Sequence, residues 1–232
     1  MFFDSKGNTL SENISRLSGK TILFDGDSIT EKNFRTAKNY HDYLAEWYGF
    51  SVVNKAVSGT GLKKNTGAID RLPNYPTDID AYVFMGNMND GTSTDGITTL
   101  GEYGDTEVTT AYGAISTFLD MLIAKYPTIP ILIISSTPRS QNGVQGLCHG
   151  TENWFADWVK AWERLCADRD IPFLNLYGNS NLKPWNYANN TAYFLADGVG
   201  ATETTPDGIH PNSEGHLIMA QQIAPFLVAN IV

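Results

Sequence analysis

The sequence predicts an α/β fold, a parallel sheet with helices on both faces. Two observations carry the prediction. Short apolar runs alternate along the chain with longer segments of helical period, the pattern of successive strand and helix units. The apolar runs also end in polar, often glycine-bearing loops. That layout gathers the loops at the carboxyl edge of the sheet, where open α/β folds hold their ligands.

The first run, Thr21-Ile22-Leu23-Phe24, opens into Asp25-Gly26-Asp27-Ser28, as a buried parallel strand ending in a loop would. Tyr40, Tyr43, Leu44, Trp47 and Tyr48 follow at helical spacing, with Gly49 as the stop. Residues 51–54 read as a second strand. Residues 81–85 read as a third, ending at Gly86-Asn87-Met88-Asn89-Asp90-Gly91. Residues 108–126 predict a helix closed by Pro127, and residues 129–134 a strand ending at Ser135-Ser136-Thr137-Pro138. A helix over about 151–168, a strand over 172–176 and a last helix over 213–229 complete the pattern. The Thr-, Gly- and Asp-rich residues 91–105 read as a mobile insertion over the crevice. At 232 residues one domain is expected, residues 19–232, preceded by a polar N-terminal arm over residues 1–18.

Composition excludes several classes. The 42% hydrophobic and 18% charged residues describe an ordinary globular chain, and 12% aromatic leaves rings for a binding surface. A formal net charge of −9, with Lys63-Lys64 as the one short basic run, argues against a nucleic-acid partner. No run approaches the roughly 20 apolar residues that span a bilayer, so no membrane insertion is expected. The first residues carry no visible export signal, which leaves location open between the cytoplasm and a secreted or virion-associated assembly. Cys148 and Cys166 are too few for a disulfide framework and lack the clustered partners of a metal site; they read as two free thiols, with a single bond between them as the alternative.

Acyl transfer by serine needs a hydroxyl beside a base, a carboxylate that orients the base, and donors for the oxyanion. Ser28 follows a strand, with Gly26 giving the turn room. His210 lies in Asp207-Gly208-Ile209-His210-Pro211, just ahead of the last helix. An Asp three residues before a His, with a glycine between, can fold its carboxylate onto the ring nitrogen that faces away from the serine. Ser58-Gly59-Thr60-Gly61 after the second strand and Asn89 after the third offer a backbone and an amide donor.

These residues resemble the blocks of the SGNH hydrolases, the GDSL family of esterases and lipases, in that family's order and over most of the chain. Gly26-Asp27-Ser28-Ile29-Thr30 matches the first block and implies Ser28 as nucleophile, its N–H an oxyanion donor. Gly59 matches the second and implies a backbone donor. The third block is usually Gly, one residue, then Asn-Asp; here two residues separate Gly86 from Asn89-Asp90. Asn89 is the better match because Asp90 follows it, with Asn87 as second choice. The last block implies Asp207 and His210 as the other members of a triad. The resemblance further implies a flavodoxin-like three-layer αβα sandwich, about five parallel strands, and no metal or organic cofactor.

Other features have plainer readings. Trp154, Trp158 and Trp162 recur every four residues, the spacing of a core-facing helix stripe. His216 reads as a helix residue beside the site, and His149 next to Cys148 as a loop pair without a strand end. Trp185, Tyr187, Tyr193 and Phe194 stand among asparagines; they read equally as a loop packed onto the sheet by its own aromatics or as a sugar-binding surface, on which Trp185 and Tyr187 are expected at a substrate rim. The expected substrate is a short acyl ester, acetyl above all, on a small molecule or glycan. Lysophospholipid or thioester hydrolysis is the enzymatic alternative. A catalytically silent carbohydrate-binding or structural module is the other class, and the joint presence of Ser28, Asp207 and His210 speaks against it.

Overall fold

A computed structural model describes residues 16–86, 89–92, 96, 97, 99–141, 144, 145 and 154–231. Five strands form the central sheet: β1 (Thr21–Asp25), β2 (Ser51–Asn54), β3 (Ala81–Gly86), β4 (Ile131–Ser135) and β5 (Phe173–Leu174). All pair in parallel, in the order β2-β1-β3-β4-β5. That order reverses between β1 and β3, and a crevice opens outside the carboxyl ends at such a reversal. A two-stranded antiparallel hairpin, Ser140–Gln141 with Val144–Gln145, leaves the end of β4.

Seven helices occur among the described residues: α1 (Tyr40–Tyr48), α2 (Ala68–Arg71), α3 (Ala111–Lys125), α4 (Trp154–Ala167), α5 (Leu176–Asn179), α6 (Tyr187–Phe194) and α7 (Ser213–Asn230). Side chains alternate along the strands, so each face meets its own helices. On one face Ile22, Phe24, Val83, Met85, Leu132 and Ile134 pack with Tyr40 and Leu44 of α1 and Met219, Ile223 and Leu227 of α7. On the other, Leu23, Tyr82, Phe84 and Ile133 pack with Phe118 and Leu122 of α3 and Trp158 and Trp162 of α4. The sheet is covered on both sides, as the apolar runs require, and the molecule is a three-layer αβα sandwich. No helix among the described residues is long and apolar enough to cross a membrane.

The strands and long helices fall within a few residues of their predicted bounds. Trp158 and Trp162 are core residues, Trp162 lying 5.5 Å from the Phe84 ring. Three readings change. Leu176 begins α5 rather than ending a strand, because the Asn175 side chain accepts the Gly178 N–H (2.8 Å) and caps a helical turn. Of the described residues within 91–105, Ile97 is fully buried in the core and Thr99 O accepts the N–H of Ala111 (2.9 Å), so these belong to the packed fold. Leu17, assigned to the arm, is also fully buried against the α1 and α7 side, so the core starts before residue 19.

Candidate active site

β1 delivers Asp25 to the carboxyl edge, and Gly26 turns the chain with φ 156°. A Cβ there would lie 2.9 Å from Thr30 Oγ1 and 3.3 Å from Met85 O, so at this φ a side chain would crowd the turn and press on the end of β3. Asp27 then ties the next turn: its Oδ1 accepts the N–H of Ile29 (3.0 Å), and its carbonyl accepts those of Thr30 (3.0 Å) and Glu31 (2.8 Å). Ser28 sits inside this brace, half-buried, with its own carbonyl held by Asn33 Nδ2 (3.0 Å).

Ser28 Oγ lies 2.7 Å from His210 Nε2, and His210 Nδ1 lies 2.6 Å from Asp207 Oδ2. The other oxygen, Oδ1, accepts the N–H of Ile209 and of His210, both at 2.8 Å. The turn that permits this is set by Gly208 (φ 70°), where a Cβ would stand 2.5 Å from Ser140 O. Ser140 N–H donates in return to Gly208 O (2.9 Å), which pins the histidine loop to the exit of β4. Burial by itself raises the Asp207 carboxyl. The bonds from the His210 ring and the two backbone N–H groups outweigh it and hold the group below its ordinary value. An ionised Asp207 at Nδ1 assigns the ring proton to that nitrogen and leaves Nε2 as an acceptor facing the serine hydroxyl. Arg35 Nε, 3.9 Å from Asp207 Oδ2, adds a cation behind the pair.

The second strand's loop is fastened beside the serine turn, since Val57 N–H donates to Gly26 O (3.2 Å). Gly59 lies in that loop. Asn89 opens the turn after β3, and its Nδ2 donates to Asp27 Oδ2 (3.1 Å) and to Thr60 O (3.0 Å). Both amide hydrogens thus hold the first and second loops together. Asn87 lies outside the described residues.

Residues 24–218 match the model of the GDSL-like lipase/acylhydrolase family. The chain belongs to that family. Among solved structures, a crystal structure of a protein from Lactobacillus plantarum is similar at TM-score 0.76 and 28% identity, over 91% of this chain and 98% of that one. A possible lipase from Chitinophaga pinensis is similar at TM-score 0.65 and 19% identity, over 90% and 97%. A carbohydrate acetylesterase family member from Sinorhizobium meliloti is similar at TM-score 0.56 and 18% identity, over 90% and 97%. At those identities the last two speak to the fold alone. No curated protein matches the sequence.

Within this acylhydrolase, several residues at the site were not singled out from the sequence. Asp25, fully buried, accepts from Arg71 NH2 (2.9 Å), Tyr82 OH (2.9 Å) and the Gly26 N–H (2.8 Å). Arg71 NH1 donates onward to Thr60 Oγ1 and Thr66 O, both at 3.0 Å. Asp90 accepts the N–H groups of Leu62, Lys63 (3.0 Å) and Lys64 (2.9 Å). The Gly59 loop is therefore clamped by Arg71 at residues 60 and 66 and by Asp90 at residues 62–64. Arg139, largely buried, brings NH2 to 3.5 Å from Asp27 Oδ2 and stacks over Phe155 at 5.2 Å. Asp90 stood in a matched block, whereas Arg71 and Arg139 had no motif to mark them.

The remaining candidates separate. Trp185 is partly exposed (37%) and lines a groove, while Tyr187 is 85% exposed at the start of α6. His216 is buried on α7, where its Nδ1 accepts the Tyr40 N–H (3.2 Å), and burial followed by the His41 imidazole pushes it down to about 3. Cys166 is a free, buried thiol that burial pushes up to about 12. Cys148 and His149 lie outside the described residues. Among the described residues no three His, Cys, Asp or Glu side chains converge as a metal site would require.

Proposed function

We propose that this acylhydrolase is a serine esterase that removes short acyl groups, acetyl foremost, from carbohydrate esters through an acyl-enzyme. The observation that carries the reading is the continuous relay from Ser28 Oγ to His210 (2.7 Å) and from His210 to Asp207 (2.6 Å). His210 Nε2 takes the hydroxyl proton as Ser28 Oγ bonds to the carbonyl carbon, and the carbonyl electron pair moves onto its oxygen. Asp207 steadies the imidazolium formed. The N–H groups of Ser28 and Gly59 and the amide of Asn89 receive the oxyanion. Collapse expels the alcohol, which collects the proton from Nε2. Water then attacks the acyl-serine with His210 again as base, and the acid leaves.

The substrate class rests on a groove at the same edge of the sheet, apart from the reacting atoms. Trp185 stands among amide and ammonium side chains, which suit a polyhydroxylated alcohol better than a fatty chain. The fold-level likeness to a protein named for carbohydrate acetyl esters points the same way. The test is a series of p-nitrophenyl esters of increasing acyl length alongside acetylated sugars and a lysophospholipid. The proposal expects kcat/KM to peak at acetyl and to fall as the chain grows. A peak at long acyl chains or on the lysophospholipid contradicts the substrate class, and an inert wild type contradicts the esterase.

A further inference from the structure

We infer that the groove between the exits of β4 and β5 is an oligosaccharide subsite, which binds sugar rings of the alcohol some way from the ring that carries the scissile acetyl; this rests on the esterase reading above. The groove holds about 460 Å³ and is lined by Pro138 after β4 and by Tyr177, Asn179, Asn181, Lys183 and Trp185 after β5. It opens at the same carboxyl edge as Ser28.

Its distance from the serine follows from the sheet. β4 is two places from β1 and β5 three. At a strand spacing of about 4.8 Å, the groove lies roughly 10–14 Å from the end of β1. At that separation an acetyl group held at Ser28 would fall short of the groove, whereas several sugar rings would span the gap. A line of packed, largely buried side chains braces the groove against the serine turn. Arg139 lies beside Asp27, its guanidinium stacks over Phe155 (5.2 Å), and the Phe155 ring packs on Tyr177 (5.3 Å).

The lining chemistry selects the ligand. A pyranose presents C–H groups on a face and hydroxyls at its rim, so it needs an aromatic plane beside fixed polar groups. Trp185, 37% exposed, supplies a ring, and the amides of Asn179 and Asn181 can both donate and accept. Among the described residues Lys183 is the lone cation of the lining, and its Nζ already donates to Asn181 Oδ1 (2.9 Å), which disfavours a polyanion. The loop is held before any ligand arrives: Tyr177 N–H donates to Ser135 Oγ (2.9 Å), Lys183 N–H to Asn189 Oδ1 (2.7 Å), and Asn186 N–H to Lys183 O (2.8 Å). A preformed polar groove binds without a large ordering cost.

The experiment compares acetylated mono- and tetrasaccharides of xylose, mannose and N-acetylglucosamine, with p-nitrophenyl acetate as the reference, in wild type, Trp185→Ala and Asn181→Ala. In at least one series, kcat/KM should rise tenfold or more from one ring to four. Each variant should lose most of that rise through KM while its p-nitrophenyl acetate rate stays at the wild-type level, which also reports that it is folded. No gain with length in any series, or a gain that survives both substitutions, overturns the subsite. A wild type inert on p-nitrophenyl acetate instead overturns the esterase reading. Calorimetric binding of the unacetylated tetrasaccharides to Ser28→Ala, lost in Ser28→Ala/Trp185→Ala, then still decides the groove.

Discussion

The oxyanion role proposed for Asn89 competes for amide hydrogens that are already bonded. In the structure they go to Asp27 Oδ2 and Thr60 O, and an oxyanion must draw one of them away or share it. Thr60 O lies in the clamped loop, so the bond to Asp27 is the one we expect to lengthen. Loss of one oxyanion donor costs roughly a hundredfold or more in kcat. Asn89→Ala should therefore lower kcat by about that factor with KM little changed. If Asn89→Ala turns over normally and Asn87→Ala does not, the donor is Asn87. The two-residue gap after Gly86 is why the sequence left both asparagines open.

At the scale of elements, the loop that carries Gly59 is tied to a buried ion pair. Arg71 at the end of α2 reaches Asp25 at the end of β1, residues 46 apart in sequence, and bridges them to Thr60. Removing one member leaves a carboxylate in the core without its cation, at a cost of about 3–5 kcal/mol. Arg71→Met should lower the unfolding free energy by about that amount in urea titrations, and Asp25→Asn/Arg71→Met should recover part of it. An unchanged urea midpoint in Arg71→Met contradicts the pair's role. Such a pair was invisible beforehand, since only the folded sheet brings 25 and 71 together. The five strands were legible because their faces are covered and their apolar runs end abruptly at polar turns. The segment 175–194 was not: its asparagines carry no hydrophobic period, and they cap α5 and α6 through Asn175 and Asn186, which a composition reading sees only as a loop. The serine turn and the Asp207 to His210 turn were legible as local sequence, because each is closed by bonds within a few residues.

For the molecule as a whole, His216 ties α7 to α1 and links stability to pH. Unfolded, its ring binds a proton below about 6.5; folded, it stays neutral down to about 3. The unfolded state thus holds more protons across that window, and stability from this residue falls as pH drops through it, by about 1.4 kcal/mol per pH unit. His216→Asn keeps an acceptor near the Tyr40 N–H without the titration. Urea midpoints measured from pH 7 to 4.5 should fall more steeply in wild type than in His216→Asn, and parallel profiles would sink the assignment. The catalytic claim is also a claim about the whole fold, because it needs the end of β1 and the loop before α7 to meet. Its most direct test is labelling with a p-nitrophenyl phosphonate followed by peptide mass spectrometry. One phosphonyl group is expected, on Ser28, gained in step with loss of esterase activity and absent in His210→Ala. A label on another residue, or full activity with Ser28 modified, would contradict the claim.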